Sequence, residues 1–188
     1  MKKSCICPYC GKKHLYHAVE STKTQRVALF IDGGNLYHAT KELGFKVDFL
    51  RLRDFLCPKN MEIFGLFYYS AYDPTEGFII KILDWLKYNG FTVVSKEVKK
   101  IGNTFFKGNM DVELTCDMLL NLDQYDLAVL ISGDGDFTRC VAELQKRNKR
   151  VQIVSTEQTS PPLLAQELKN QADSFIELAN IVQNICQQ

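Results

Sequence analysis

The sequence predicts an α/β fold with a mainly parallel central sheet, and three observations carry that reading. From Arg26 onward, short apolar runs alternate with longer amphipathic stretches, the rhythm of βαβ units. Val27 to Ile31, Leu127 to Ser132 and Val151 to Ser155 are apolar runs of strand length. The first two pass directly into Asp- and Gly-rich turns, Asp32-Gly33-Gly34 and Gly133-Asp134-Gly135-Asp136, from which a helix departs.

Taken in order, Asn35 to Leu43 reads as a helix stopped by Gly44, and Phe49 to Leu56 as a second helix ending at Cys57-Pro58. Glu62 to Tyr72 is aromatic and β-rich, Thr75 to Tyr88 is a helix closed by Asn89-Gly90, and Phe91 to Val98 is the next strand. Asn109 to Asn121 and Phe137 to Arg147 read as helices on either side of the buried strand Leu127 to Ser132. After Val151 to Ser155 and Ser160-Pro161-Pro162 come a short helix near Leu163 to Lys169, an edge strand at Ser174 to Leu178, and a terminal helix from Ala179 to Cys186.

With 188 residues, 46% hydrophobic and 24% charged, the chain suits one globular domain plus a small appendage and excludes a disordered polymer. Charge marks the appendage. Residues 1–26 carry six bases and one acid, net +5, leaving 17 bases against 21 acids, net −4, in the remainder. The division expected is a basic, Cys/His-rich element over 1–25 and a catalytic domain over 26–188. Phe78 to Leu86, the most apolar run, is broken by Lys81 and Asp84, far short of the roughly 18 residues a membrane span needs. No apolar stretch in the basic amino terminus marks a secretory signal. Cys57, Cys116, Cys140 and Cys186 lie in apolar or helical contexts, as expected of reduced packing thiols in a cytoplasmic protein.

The chemistry sits at strand ends. Asp32 follows the first buried strand, and Asp134 and Asp136 follow Leu127 to Ser132. In an open α/β sheet, ligands occupy the crevice outside the carboxyl ends, so if the two strands are neighbours these acids converge there. Asp111, at the start of its helix, is placed to join them. Clustered carboxylates repel one another and lose solvation, and they persist at neutral pH mainly by holding cations. Oxygen ligands without nearby His or Cys favour Mg²⁺ or Mn²⁺ over Zn²⁺, which points to phosphate-ester chemistry. Taken singly, each acid has a plainer role. Asp136 before Phe137 suits a helix N-cap, worth about 1 kcal/mol, Asn35 suits another cap, and Asp111 favours the positive end of its helix. Asp117 lies roughly 120° around the helix from Asp111 and is assigned a structural role.

Phe30-Ile31-Asp32-Gly33-Gly34-Asn35, then Lys107-Gly108-Asn109-Met110-Asp111 with Asp117, then Ser132-Gly133-Asp134-Gly135-Asp136-Phe137 resemble, in that order, the NYN domain family, the LabA-like branch of the PIN-like nucleases. The resemblance covers roughly residues 26–186. It implies a PIN-like three-layer αβα sandwich and metal-dependent cleavage of RNA phosphodiesters, with Asp32, Asp111, Asp134 and Asp136 as ligands. It further implies that Asn35 orients a carboxylate or touches the scissile phosphate, and that Ser132, on the substrate side, supports Asp134 by hydrogen bonding. Many relatives have a hydroxyl residue where this chain has Gly135. Related domains suggest a homodimer. The mechanism expected is in-line attack by a cation-activated water, which needs no protein general base. His38 is accordingly left outside the catalytic set.

Lys96, Lys99, Lys100 and Lys107 flank Phe105 and Phe106, a mixture suited to phosphate contact and base stacking; the same pattern also suits a solvated hairpin edge. Cys5, Cys7 and Cys10, followed by His14 and His17, resemble one knuckle of a zinc ribbon. Structural zinc on Cys5, Cys7, Cys10 and His14, or a flexible basic arm with incidental thiols, both fit. Three other functions fit the sequence less well. A catalytically weak or inactive RNA-binding regulatory module of the same fold is the alternative, and the intact acids argue against it. A haloacid-dehalogenase-type phosphatase needs D-x-D, whereas Gly34 stands two positions after Asp32. A dinucleotide-binding oxidoreductase needs G-x-G-x-x-G, which is absent here.

Overall fold

Period-two alternation sends Val27, Leu29 and Ile31 into one apolar core and Ala28 and Phe30 into a second on the opposite side. A strand buried on both faces divides the molecule into layers. The computed structural model describes residues 2–6, 13–17, 24–98, 100–101, 104–105 and 108–187. In chain order the elements are β1 (Lys2–Ile6), β2 (Lys13–His17), β3 (Gln25–Asp32), α1 (Gly33–Glu42), α2 (Phe49–Leu56), β4 (Met61–Tyr72), α3 (Gly77–Tyr88), β5 (Thr92–Glu97), β6 (Lys100–Ile101), β7 (Thr104–Phe105), α4 (Asp111–Leu120), β8 (Leu127–Ile131), α5 (Thr138–Lys146), β9 (Arg150–Ser155), α6 (Gln166–Gln171), β10 (Ser174–Glu177) and α7 (Val182–Ile185).

Six strands form one sheet in the order β10-β9-β8-β3-β4-β5, parallel at every pairing. Leu36 of α1, Leu52 of α2, Leu83 of α3 and Ile185 of α7 share one core with Val27, Leu29 and Ile31. Leu114 of α4, Val141 of α5 and Leu168 of α6 pack with Ala28 and Phe30 on the other side. The result is the expected three-layer αβα sandwich. From β3 the chain crosses to β4 on one flank, while β8 lies on the other flank and leads outward to β9 and β10. The carboxyl ends of β3 and β8 therefore meet at a topological switch point, where open α/β sheets leave a crevice. At the amino ends, Arg26 Nη2 donates to Asp126 Oδ1 at 2.9 Å, and the Arg26 backbone N–H donates to Asp126 Oδ2 at 3.0 Å.

Several details differ from the sequence reading. α1 starts at Gly33 rather than Asn35, because Asp32 Oδ1 accepts the Asn35 N–H at 3.1 Å and caps the helix. Gly33 is demanded by space, since a Cβ there would lie 2.6 Å from the Tyr68 phenol and 2.7 Å from the Tyr69 carbonyl oxygen. α5 begins after Phe137 without a side-chain cap; Asp134, not Asp136, caps the preceding 3₁₀ turn over Gly135–Phe137, its carboxylate accepting the Asp136 N–H. The terminal helix is divided into a 3₁₀ turn, Leu178–Ile181, and α7. Two small antiparallel hairpins, β1–β2 and β6–β7, accompany the sheet. Cys57 and Cys140 are buried free thiols, whereas Cys116 is exposed and does not pack. No helix among the described residues is long and apolar enough to cross a membrane.

Candidate metal centre

A chain of hydrogen bonds joins the ends of β3 and β8. The Ser132 hydroxyl donates to Asp32 Oδ2 at 2.9 Å and accepts the Asp134 N–H at 3.2 Å. The Gly133 N–H donates to Asn35 Oδ1 at 3.0 Å. Thus Asn35 ties α1 to the turn after β8, and Ser132 orients the Asp32 carboxylate. Ser132 is 1% exposed, and its hydroxyl supports Asp134 through the backbone N–H, as expected, while also holding the Asp32 carboxylate.

Asp111 enters from α4. Its backbone N–H donates to Asn109 Oδ1 at 2.6 Å, and Asn109 Nδ2 donates to Asp111 Oδ2 at 2.5 Å, which fixes the side chain at the first turn. One oxygen each from Asp111, Asp134 and Asp136 falls within a group whose members lie within 4.8 Å of one another. Burial raises the Asp32 carboxyl above the ordinary aspartate range, offset by the Asn35 and Ser132 bonds and reinforced by the Asp134 charge. Asp111 is raised too, first by desolvation and then by the charges of Asp134, Asp32 and Asp136. Among the described residues, no Lys, Arg or His forms an ion pair with any of the four. An all-oxygen donor set with uncompensated charge fits a hard divalent cation.

Other predicted residues fall elsewhere. Tyr69 Oη donates to Asp117 Oδ2 at 2.9 Å, in keeping with a structural role for Asp117. Lys96 pairs with Glu113 on α4, which removes it from the group of free bases. Lys99, Lys107 and Phe106 lie outside the described residues, as does the side chain of Lys100 in β6. In the β1–β2 hairpin Cys5 and His14 are register partners, but Cys7 and Cys10 lie outside the described residues, so the zinc set does too. His38 is exposed on α1, its ring edge-on to Tyr37.

Sequence reasoning missed three neighbours. Gly133 brings the turn against Leu163, where a Cβ would lie 2.1 Å from the carbonyl oxygen. Tyr68, beneath Gly33, has its phenol pushed up to about 12 by burial and by the Asp32 charge. Glu167 of α6 sets its carboxylate over Gly135, 2.6 Å from where a Cβ would stand. Only Gly133 carried a local signal, as a glycine between a buried strand and two acids.

The raised carboxyls set a pH dependence. Folding increases the proton affinity of Asp32 and Asp111, so the stability gained by holding those protons is complete below about pH 4, the ordinary aspartate value, and is lost as pH rises through the folded-state values. In EDTA, Asp32→Asn retains a side chain that caps α1 but has no proton to lose. Its melting temperature should exceed that of the wild type at neutral pH, with the gap closing toward about pH 4. Equal melting curves across that range would contradict the assigned burial cost.

Residues 26–179 match the NYN domain. The chain is 33% identical over 169 residues to the low amplitude and bright protein LabA of Synechococcus elongatus, a match spanning 85% of this chain and 87% of that one. The crystal structure of a protein of unknown function from Vibrio parahaemolyticus is similar with a TM-score of 0.72 at 24% identity, covering 85% of this chain and 96% of the other. That second likeness speaks for the fold alone. Since the matched segment contains β3, β8 and all four aspartates, the chain belongs to the NYN domain family, whose domains are nuclease-like.

Proposed function

We propose that this protein is a metal-dependent endoribonuclease in which Asp32, Asp111, Asp134 and Asp136 hold Mg²⁺ or Mn²⁺ against an RNA phosphodiester. The observation that carries the reading is the approach of Asp111, Asp134 and Asp136 oxygens within 4.8 Å of one another, without a cationic partner among the described residues. A bound divalent cation would supply Lewis-acid activation of water and neutralisation of phosphate charge. The protein's own part is positioning. Ser132 and the Asn35 N–H orient Asp32, Asn109 orients Asp111, and the 3₁₀ turn presents Asp134 and Asp136 side by side. Asn35 uses its carbonyl on Gly133, and its amide protons are assigned to a substrate phosphate oxygen. Residues 26–188 form the nuclease unit in this reading. The basic segment over 1–25, with or without zinc on Cys5, Cys7, Cys10 and His14, adds affinity for the polyanion.

The test is incubation of end-labelled single-stranded RNA with the protein in Mg²⁺, in Mn²⁺ and in EDTA. Internal cuts in either metal and none in EDTA are expected. Equal cutting in EDTA would identify a contaminant, and RNA binding without cutting would make the protein a regulatory module of the same fold.

A further inference from the structure

Helix α3 buries Leu83 and Leu86 and turns a different set of apolar residues outward. Phe78 is 75% exposed, Trp85 43% and Tyr88 91%. At 100° per residue these three fall within one stripe about 80° wide, extending about 15 Å along the helix. Exposed Lys81 lies in the same stripe between Phe78 and Trp85, and it makes no ion pair among the described residues. Asp84, the acid on the neighbouring face, is held by Lys87 at 3.4 Å. The helix follows the carboxyl end of β4, so Phe78 lies at the same end of the sheet as Asp32 and Asp134, and the stripe leads away from there.

Two kinds of partner suit exposed aromatics. A protein interface concentrates them too, but its core is depleted of lysine. A single nucleic-acid strand pairs aromatic faces for its bases with cations for its phosphates, which is the composition of this stripe. We infer that the outward face of α3 is a stacking platform for single-stranded RNA, extending the substrate path beyond the acidic crevice; the choice of RNA rests on the function proposed above. Phe78, Trp85 and Tyr88 take base faces, and Lys81 takes a phosphate.

Trp85 is the single tryptophan of the chain, so its fluorescence reports on this face directly. Titration of the full-length protein in EDTA with short single-stranded oligoadenylate should give saturable quenching, whereas duplex RNA, with its bases stacked internally, should give little. Phe78→Ala should weaken the affinity about 5- to 150-fold, the range for one lost stacking contact. Lys81→Gln should lower the slope of log affinity against log salt by about 0.7. Both positions are solvent-facing, and unchanged melting curves would show the variants folded. Absence of quenching, or affinity unaltered in Phe78→Ala, overturns the inference. So does a dimer in sedimentation that Phe78→Ala and Tyr88→Ala dissociate, because the stripe then belongs to a second copy. The two proposals fail separately: quenching without RNA cleavage in metal supports the platform and removes the nuclease, while cleavage without quenching does the reverse.

Discussion

Asp134→Asn is expected to lower metal-dependent RNA cleavage about 10³-fold while leaving the protein folded. Asp134 is the carboxylate whose charge reaches both Asp32 and Asp111, and it contributes one of the three oxygens brought within 4.8 Å. Its replacement by an amide of the same shape keeps the local structure. The Asn carbonyl can accept the Asp136 N–H that Asp134 Oδ1 accepts at 3.0 Å, and the backbone bond to Ser132 is untouched. Only the charge is lost. Charge stabilisation by a cation in a phosphoryl-transfer site amounts to several kcal/mol, and each 1.36 kcal/mol is a factor of ten in rate. Initial rates on labelled RNA in Mn²⁺, together with calorimetric titration of Mn²⁺, provide the check. A variant that cleaves within about tenfold of the wild type, or binds Mn²⁺ unchanged, would remove Asp134 from the proposed centre.

Gly133→Ala should be the most damaging glycine-to-alanine change among the described residues, costing about 3 kcal/mol, at the upper end for overpacking a tight site. The added Cβ would sit 2.1 Å from the Leu163 carbonyl oxygen and 2.4 Å from Ser155 Oγ. Rotation of Ser155 can relieve the second clash, but the first is with backbone. Gly133 cannot easily retreat, because its N–H is held by Asn35 and its carbonyl accepts the Ala165 N–H at 2.8 Å. A fall in melting temperature of about 6–12 °C follows for a domain of this size. Cleavage should drop with it, since Gly133 lies between Ser132, whose hydroxyl holds Asp32, and Asp134. Gly77→Ala is the matched control: nothing lies within 4 Å of a Cβ there, and the residue opens α3, so alanine should be neutral or mildly stabilising. A Gly133→Ala protein melting with the wild type would refute the packing account.

The parallel sheet and the placement of Asp32, Asp134 and Asp136 after buried strands were legible in the sequence because they depend on local patterns. Val27 to Ile31 and Leu127 to Ile131 announce burial on both faces by being apolar throughout, and Asp32, Asp134 and Asp136 announce strand ends by following them directly. Partnership was not legible. Apolar periodicity states that a strand is buried without naming its neighbour, so the pairing of Ile31 with Ile131, which sets Asp32 beside Ser132, had to come from the structure. For the same reason Asp136, beside the helix, reads as the cap, whereas the side-chain cap is Asp134 and serves the 3₁₀ turn before α5. The link from Ser132 to Asp32 spans 100 residues of chain, and no local pattern reports a contact of that range. Lys96 reads from the sequence as available for RNA for a similar reason: its partner, Glu113, lies on a different element.

The two bonded fastenings between β3 and β8 stand at opposite ends of the pair, Arg26 with Asp126 at one and Asp32 with Ser132 at the other. Between them the strands have no freedom to slip, and slippage by a single residue would turn Asp32 to the far side of the sheet. The strand ends that carry Asp32 and Asp134 are therefore held like the jaws of a fixed-gap spanner, and in the proposed centre an ion that needs a different opening would have to leave its own preferred geometry.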